Sequence, residues 1–474
     1  MKSGENIQYE LNEKVLLEDG MDRTAYKENL ITQGDLYQNF IKYFIPILLG
    51  SFIQQSYAFV DALIIGNYGG KEALAAIDAP YVYIKLLINS FIALSMGGTI
   101  IVSQYCGADK KTELEEIIGS LIKFSILGGV IISVMGILLS SKFIKIMLIP
   151  EDIYELSLSY IRIYFIGTVF VFTFNIVSGI LRALGDSKNP FYYLMCSSVV
   201  NIVLDVLFVA KFHWSVEGAA LATILSQGIA MALVLNKIKS AGYYFSKRNR
   251  FESLKGTLTL GYPMAIQSIL FSVSNMFMQR GINAFGTDSI AGWSICGKAD
   301  FLVWSLADTL GVAVTTFVAQ NYGAGNRNRM NQSVRCGFLT SVVTIGIVSG
   351  VLFIWIDKVA LLFTRDSSAI ENAVLLMRSV CPYYIFYAFG EIFAGGIKGR
   401  GNTFYPMIIT LIGTCAFRVI WVEIVSNYDM TLQHIILGYP LSWFVTTTLF
   451  AIYYVVTVYA SKYNVYDSDI EKIK

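Results

Sequence analysis

The stretch "FSILGGVIISVMGILLSS", residues 124–141, carries no charge and lies between Lys123 and Lys142. A helix rises about 1.5 Å per residue, so this stretch extends over about 27 Å, close to the thickness of a membrane hydrocarbon core. The whole chain is similar in character: 55% of its 474 residues are hydrophobic and 15% are charged, whereas soluble domains carry about 25% charged residues. The composition therefore predicts an all-α, polytopic membrane protein.

The two ends of the chain differ from its apolar middle. Residues 1–36 are polar, of mixed charge and without a hydrophobic h-region. This pattern predicts a cytoplasmic N-terminal tail and not a signal peptide. Residues 461–474 are likewise polar and are expected to form a C-terminal tail on the same side of the membrane.

Residue counts argue against several classes of function. The net charge of +2 gives no indication of a nucleic-acid partner. The six cysteines include no C-x-x-C pair and there are only two histidines, so neither a metal centre nor a catalytic cluster is predicted. The chain has no G-x-x-x-x-G-K-[ST] loop, which argues against bound ATP as an energy source. We therefore expect no enzymatic activity and no cofactor, and an ion gradient as the source of energy.

Apolar runs along the chain predict twelve transmembrane spans. They begin near residues 37, 80, 120, 158, 191, 216, 254, 298, 332, 372, 404 and 432. With both termini in the cytoplasm, the inner connections hold sixteen Lys and Arg residues and the outer ones seven, which fits the positive-inside rule. The most basic connection separates spans 6 and 7. We therefore expect an N-lobe at 37–240, a cytoplasmic linker at 241–253 and a C-lobe at 254–460, in the cytoplasmic membrane.

The two predicted lobes resemble each other in sequence. "YFIPILLGSFIQQ" aligns with "LGYPMAIQSILFS", which places Pro46 on Pro263. "IVSQYCGADKK" aligns with "FVAQNYGAGNR", which places Gln104 on Gln320. "LRALGDSKNP" aligns with "IKGRGNTFYP" at the same offset as the two glutamines. Each half holds six spans, so the two lobes share one topology, and this arrangement is typical of transporters that rock one bundle against the other.

Polar side chains interrupt the apolar spans of the N-lobe. Asn201 and Asp205 lie one turn apart on span 5, and therefore on one face of it. On span 1, Gln54, Tyr57 and Asp61 form a polar stripe at spacings of three and four residues. Carboxylate and amide oxygens suit a hard cation such as Na⁺. The same carboxylates would alternatively hold a proton, because burial and nearby like charge both raise the pKa of a carboxyl group.

Two further polar residues, Asn175 in span 4 and Thr223 in span 6, are read on their own as helix–helix hydrogen-bonding groups. For the two aspartates, Asp61 and Asp205, the internal repeat provides a test of whether they belong to the shared scaffold. Adding the repeat offset places Asp61 on Met278 and Asp205 on Trp421, so neither acid recurs in the C-lobe. A group needed by the shared scaffold would appear in both lobes, so the N-lobe acids are interpreted as functional.

Five motifs identify a family resemblance: "YAFVDALIIGNYG" at 57–69, "SQYCGA" at 103–108, "GILRALGDSKNP" at 179–190, "NIVLD" at 201–205 and "AQNYGAG" at 319–325. With these motifs the chain resembles the multidrug and toxic compound extrusion (MATE) family of secondary transporters over residues 37–460, and its aspartates are similar to those of the DinF-type branch. The resemblance implies a monomeric antiporter that exports organic cations or drug-like amphipathic compounds in exchange for Na⁺ or H⁺.

The resemblance also implies roles for individual residues. A site for the coupling cation or proton would be formed by Asp61, Asn201, Asp205 and Thr223. Further N-lobe residues would line the same cavity, namely Gln54, Tyr57 and Asn175. Pro46 would be the position at which span 1 bends.

The C-lobe departs from the NorM-type branch of the same family. Where that branch has acids in spans 7 and 10, this chain has Ser272 and Tyr387. Glu391 lies one turn beyond Tyr387 and would substitute, with Arg280 and Arg418 as further candidates for a C-lobe site. The C-lobe charges either pair with one another or contact a substrate.

One alternative function is a flippase for a lipid-linked saccharide from the same wider superfamily. Such a protein would show a cationic cavity for the pyrophosphate group and, in many cases, two extra helices. Here the polar groups of the N-lobe are acidic and only twelve spans are predicted. The antiporter is therefore the preferred hypothesis.

Overall fold

The computed structural model describes residues 31–147, 149–243, 251–428 and 431–460, and these residues form helices joined by short turns, with no β-strand among them. The first six spans are Leu36–Gly69, Glu72–Gly107, Lys111–Ile146, the pair Glu151–Ile166 and Thr168–Ala183, Lys188–Lys211, and Ser215–Ser240. The other six are Phe251–Asn283, the pair Thr287–Ala299 and Phe301–Gly323, Arg327–Ala360, Ser367–Lys398, Phe404–Tyr428, and Leu432–Thr457.

Length and hydropathy identify most of these spans as membrane-crossing. Ten helices in the described part of the chain pass both criteria, and span 4 passes them as a pair bent by 47°. Span 7 is 33 residues long, about 50 Å of helix, but Gln267, Ser268 and Asn275 interrupt its apolar sequence. The predicted fold of twelve spans is therefore confirmed.

Several predicted starting points are wrong by about two turns. Span 3 begins at Lys111 and not near 120, because the charged segment "KTELEEI" is helical and extends the span beyond its apolar part. Span 4 begins at Glu151 and not near 158, and it consists of two helices that meet at Gly167. A Cβ atom at Gly167 would overlap the side chain of Ile224, so the absence of a side chain at Gly167 lets span 4 approach span 6 closely.

The predicted internal symmetry is visible in the backbone. Gly185 and Gly401 end spans 4 and 10 in the same left-handed conformation, with φ of 92° and 85°. Asp109 and Gly325, which are equivalent in the repeat, follow spans 2 and 8 with φ of 53° and 70°. Equivalent turns therefore end equivalent helices, as two pseudo-symmetric lobes require.

Buried apolar side chains form one large cluster in each lobe. Span 1 takes part in both halves of the molecule. Its first turns pack into the C-lobe cluster, where the rings of Phe40 and Tyr43 lie 5.2 and 5.5 Å from that of Phe317. Farther along, span 1 packs against span 5 of the N-lobe. A change in the angle of span 1 therefore affects both lobes.

The lobes meet at the end where the sequence predicts the cytoplasm. Gln104 Nε2 donates to the carbonyl oxygen of Gly399 at 3.0 Å, and Gln320 Nε2 donates to that of Ala183 at 2.6 Å. The two donors are equivalent in the repeat, and so are the two acceptors, so the internal symmetry relates the two hydrogen bonds. We call these contacts, together with those of the neighbouring glycines Gly107 and Gly323, the cytoplasmic seam.

Glycine makes this seam possible. A Cβ atom at Gly107 would overlap the carbonyl oxygen of Gln320, and one at Gly323 would overlap that of Gln104. Only a residue without a side chain allows the backbones to approach this closely. The seam therefore closes the space between the lobes at this end.

Part of the predicted N-terminal tail contacts the C-lobe. The guanidinium of Arg329 donates to the carbonyl oxygens of Ile31, Gln33 and Gly34 at 2.9, 2.7 and 2.9 Å. Asp35 then caps span 1 by accepting from the backbone of Gln38 at 2.7 Å. Most of the predicted tails and linker, at 1–30, 244–250 and 461–474, lies outside the described residues.

Candidate functional site

Asp205 is the most deeply buried acid of the N-lobe. Its side chain is 0% exposed, and that of Asn201, one turn earlier, is 2% exposed. Asp205 is the last α-helical residue before a π-helical segment, Val206–Lys211, which completes span 5. Single π-turns in helices are frequent at functional sites because they re-aim the side chains beside them.

Asp61 lies opposite Asp205 on span 1. It precedes a second π-helical segment, Ile65–Gly69, and the two π-helical segments contact each other. The carboxyl groups of Asp61 and Asp205 are close enough to interact directly. The structure therefore brings together the two acids that the sequence placed on separate spans.

Several polar atoms of this group have no protein partner. Oδ1 of Asp61, both carboxylate oxygens of Asp205 and both amide atoms of Asn201 are buried without a hydrogen bond in the described parts of the chain. Buried polar atoms are nearly always paired, and each exception calls for an explanation such as strain, a functional role, or a bound water or ion. We refer to Asp61, Asn201 and Asp205 as the N-lobe acid cluster.

The other predicted N-lobe residues are arranged less closely. Thr223 is half-buried on span 6, which packs against span 5, but its hydroxyl makes no hydrogen bond to either acid within the described ranges. Asn175 donates to the carbonyl oxygen of Val171 in its own helix at 2.7 Å. Tyr57 is half-buried one turn before Asp61, and Gln54 is exposed. These four residues therefore do not all contact the acid cluster.

Pro46 lies inside the first helix of span 1, Leu36–Ile64, which continues through it without a break. The proline removes one backbone donor from the helix interior, which weakens the helix at that point. Pro263, its partner in the repeat, lies inside span 7 in the same way.

Sequence reasoning missed a third acid near the cluster. Asp78 is exposed at the end of the helix Gly70–Asp78, close enough to Asp61 for their charges to interact. Lys298 of the C-lobe lies near Asp78 in turn. No periodicity links Asp78 to Asp61, because the two lie on different helices around a turn. Only the tertiary structure reveals this approach.

The C-lobe has an acidic group of its own on spans 8 and 10. The hydroxyl of Tyr387 donates to Oδ1 of Asp308 at 2.9 Å, and Glu391 lies close to the same carboxylate. Asp308 is exposed although it lies in the middle of span 8, where most side chains are buried. Tyr387 occupies the position at which the NorM-type branch has an acid, and it contributes a hydroxyl group instead. Glu391 and Asp308 together form the acidic group.

The two arginines proposed for this lobe are separated by the structure. Arg280 is exposed near the end of span 7 and makes no hydrogen bond or ion pair with Glu391 in the described part of the chain. Arg418 is fully buried on span 11, where it donates to Ser442 Oγ at 2.9 Å and to Asn275 Oδ1 at 2.7 Å. The structure therefore does not bring Arg280 into contact with Glu391, and the grouping of Glu391, Arg280 and Arg418 as one site stays a prediction.

The sequence left open that the charged residues of the C-lobe pair with one another. The two most buried of them, Asp300 and Arg418, form no such pair within the described residues. Asp300 accepts from the hydroxyl of Tyr384 at 2.5 Å and from Nε1 of Trp304 at 3.0 Å, both neutral donors. Arg418 has no acidic partner among the residues that the structure describes. The hydrogen-bonding partners of Asp300 and Arg418 are therefore uncharged side chains.

Known proteins resemble this chain in both sequence and fold. A family model described as MatE matches residues 46–207 and 263–422, one segment in each lobe. The chain is 27% identical over 446 residues to the probable multidrug resistance protein YoeA of Bacillus subtilis strain 168, covering 90% of this chain and 96% of that protein. It is 20% identical over 382 residues to the multidrug export protein MepA of Staphylococcus haemolyticus strain JCSC1435, covering 78% and 83%.

Among solved structures, the fold is similar to one described as the outward-facing conformation of a multidrug resistance MATE family transporter of the MOP superfamily. The TM-score is 0.85 at 21% identity, and the match covers 92% of this chain and 99% of that one. At this identity the likeness concerns the fold alone.

Proposed function

Because this chain belongs to the MatE family, we propose that it is a secondary active antiporter that exports drug-like amphipathic compounds, organic cations among them, in exchange for Na⁺ or H⁺. The names of its relatives, a probable multidrug resistance protein and a multidrug export protein, support the choice of cargo. The N-lobe acid cluster supports the choice of coupling site.

The observation that carries the proposal is the set of unpaired oxygens in the acid cluster. The half-buried carboxylate of Asp61 lies close to the buried one of Asp205, and three of their four oxygens are buried without a hydrogen-bonding partner in the part of the chain described. Ionised carboxylates in this position repel each other, and their burial is costly unless a cation or a proton offsets it. A bound Na⁺ would take the carboxylate oxygens and the amide oxygen of Asn201 as ligands, whereas a proton would neutralise one acid.

The cycle follows from competition between the coupling ion and the cargo. An ion bound at Asp61 and Asp205 favours one angle of span 1, with Pro46 as its weak point, and so weakens cargo binding on the outer side. Cargo bound from the inside favours the ion-free cluster. Each ligand shifts the equilibrium only through its different affinity for the two states. Because span 1 packs against both lobes, its movement is transmitted to each of them.

Alternating access also requires the cytoplasmic seam to open. In the inward-facing state the hydrogen bonds of Gln104 and Gln320 to the opposite lobe would be broken. We take residues 37–240 and 254–460 as the lobes that move, with both termini in the cytoplasm and the spans in the cytoplasmic membrane. The protein would act as a monomer, since each lobe and the seam belong to one chain.

The test is ethidium efflux from proteoliposomes under a Na⁺ gradient or a H⁺ gradient applied separately. Asp61→Asn and Asp205→Asn are compared with wild type, and Asp152→Asn, an exposed acid on span 4, serves as a matched control. We expect wild type and the control to export under one of the two gradients, and both cluster variants to lose that dependence. The gradient that drives export identifies the ion.

Equal export by wild type and both cluster variants would place the coupling site elsewhere, with Asp308 and Glu391 as the next targets. The absence of export by wild type under either gradient would contradict the exporter proposal and favour the flippase for a lipid-linked saccharide.

A further inference from the structure

A short segment before span 1, residues 31–35, is held on the C-lobe by a single guanidinium. Arg329 lies in the first turn of span 9 and donates to three carbonyl oxygens of this segment. Its Nε, Nη1 and Nη2 atoms bond to the carbonyl oxygens of Ile31, Gly34 and Gln33 at 2.9, 2.9 and 2.7 Å. Hydrogen bonds from a charged donor are stronger than those between neutral groups. The three bonds therefore fix the position of this segment, which we call the pre-span segment.

Two asparagines and a glycine determine the path of the pre-span segment. Nδ2 of Asn321, in span 8, donates to the carbonyl oxygen of Ile31 at 3.3 Å, and Nδ2 of Asn39, in span 1, donates to that of Gln33 at 3.3 Å. Gly34 has a φ of 68°, in the left-handed region that favours glycine. The chain thus turns at Gly34 and enters span 1 while its backbone stays bound to the C-lobe.

The pre-span segment also touches the N-lobe. The side chain of Ile31 is 3% exposed, and a Cβ atom at Gly185, in the turn that ends span 4, would lie 3.4 Å from its Cδ1 atom. Two residues earlier, Ala183 accepts the hydrogen bond that Gln320 donates across the cytoplasmic seam. Ile31 therefore bridges the two lobes directly beside the seam.

Ile31 is suited to a contact that breaks and re-forms. It is the one buried residue of the pre-span segment, since the other four are partly or fully exposed. Its separation from Gly185 therefore uncovers the apolar surface of one side chain. Segments with few buried apolar contacts open at a low cost in free energy. Arg329 can keep the backbone of the segment on the C-lobe while Ile31 leaves the N-lobe.

We propose that the pre-span segment is a cytoplasmic latch, in which Ile31 engages the N-lobe and Arg329 is the positioning residue that holds Ile31 in place. Packed on Gly185, Ile31 adds an apolar contact to the hydrogen bonds of the seam. Opening of the cytoplasmic side breaks this contact, while Arg329 keeps the segment on the C-lobe for the next closure. The inference rests on the proposed alternating access and adds a step to it, the release of Ile31 before cargo enters from the inside.

Two native cysteines report the two ends of the latch. Cys106 is half-buried next to Gly107 of the seam, and Cys336 is half-buried on span 9, where its thiol lies close to Asp35 and Arg329. Labelling of Cys106 therefore follows the seam, and labelling of Cys336 follows the attachment of the pre-span segment to the C-lobe. A comparison of the two rates separates a latch from a simple anchor.

The test is the rate of maleimide labelling at each cysteine in the purified full-length protein, resolved by mass spectrometry. Arg329→Gln removes the charge and the fork of donors. It should speed labelling of both Cys106 and Cys336 by about tenfold, the effect that one charge-assisted hydrogen bond supports. Ile31→Ala removes part of one apolar contact and should speed labelling of Cys106 by about fivefold. It should leave Cys336 at the wild-type rate, because the segment stays bound to Arg329.

Matched controls come from exposed positions of the C-lobe. Arg365→Gln and Ile347→Ala should leave both labelling rates unchanged. If Arg329→Gln does not yield folded protein, Arg329→Lys replaces it. Lysine keeps the charge but offers one nitrogen to three carbonyl oxygens, so its labelling rates should lie between those of wild type and of a detached segment.

The inference is overturned if Arg329→Gln or Ile31→Ala leaves Cys106 at the wild-type rate, or if a control variant raises that rate equally. Faster labelling of Cys336 alone in Arg329→Gln would show that the segment anchors span 1 without closing the seam. Labelling is measured without cargo and without an ion gradient, so loss of coupled export would contradict the proposed function and leave this result unaffected.

Discussion

The two lobes share one backbone plan and bury opposite charges on equivalent helices. Span 5 of the N-lobe carries Asp205, and span 11 of the C-lobe carries Arg418, both 0% exposed and both without an oppositely charged partner in the described residues. Each of these spans contains a π-helical segment, Val206–Lys211 in one and Leu411–Ala416 in the other. The two charged residues are not equivalent in the repeat, which places Asp205 on Trp421, so the lobes share a backbone plan while each has its own buried charge.

The largest expected effect concerns the N-lobe acids. Asp205→Asn should reduce gradient-driven ethidium export by about 10- to 100-fold, because an interaction with a charged group contributes about 1.5–3 kcal/mol. Glu371→Gln, which removes an exposed acid of the C-lobe, should leave the dependence on the gradient in place. Initial rates of efflux from proteoliposomes measure both. A comparable loss in the two variants would mean that coupling is not confined to one lobe.

The next effect concerns the buried guanidinium of the C-lobe. Arg418→Met replaces an unpaired charge by an apolar side chain of similar volume, and the free energy of unfolding should be unchanged or higher by up to about 4 kcal/mol. Thermal unfolding in detergent gives the Tm, with Arg280→Met as the exposed control. A clear fall in Tm for Arg418→Met alone would contradict this expectation and show that the hydrogen bonds of Arg418 to Ser442 and Asn275 outweigh the cost of burying its charge.

The seam offers a test in which the two lobes should behave alike. Gly107→Ala and Gly323→Ala each force a Cβ atom into a backbone carbonyl of the other lobe. Overpacking of this kind costs about 1–3 kcal/mol, so both variants should open the seam. Faster maleimide labelling of the half-buried Cys106 reports the opening. Gly346→Ala, which meets nothing within 4 Å, should not change the labelling rate.

The smallest effect is expected for the two glutamines of the seam. Gln104→Ala and Gln320→Ala each remove one hydrogen bond to a backbone carbonyl, a change of about 0.5–1.5 kcal/mol. Both variants should therefore increase Cys106 labelling modestly and to a similar extent. The symmetry of the seam would be refuted if one variant had the effect of the glycine substitutions and the other had none.

Much of this fold could be predicted from the sequence because the membrane imposes simple rules. Long apolar runs predicted the twelve spans, and the alignment of Gln104 with Gln320 predicted the two lobes. The same two aligned glutamines form the seam, because each of them makes the equivalent hydrogen bond to the other lobe. Asp61 and Asp205 could be paired only because each was the sole acid in an apolar stretch.

Other features depend on packing and could not be inferred from the sequence alone. The contact between Gly167 and Ile224 joins two different spans, so the need for glycine at this break is visible only in the packed structure. The non-helical backbone at Trp355 within span 9 has no proline or glycine signal at that residue. Counting charges predicted possible partners for Arg418, but only the positions of the C-lobe helices show that neutral side chains surround it.

Release of the coupling ion when cargo binds tests the role of the N-lobe acid cluster most directly. Purified wild type is loaded with Na⁺ or equilibrated at low buffer capacity, ethidium is added, and released Na⁺ or H⁺ is followed with an ion-selective electrode. We expect release by wild type and none by Asp61→Asn or Asp205→Asn, while both variants still bind ethidium. Equal release by the variants, or ethidium binding by wild type without release of either ion, would contradict a coupling site at the N-lobe acid cluster.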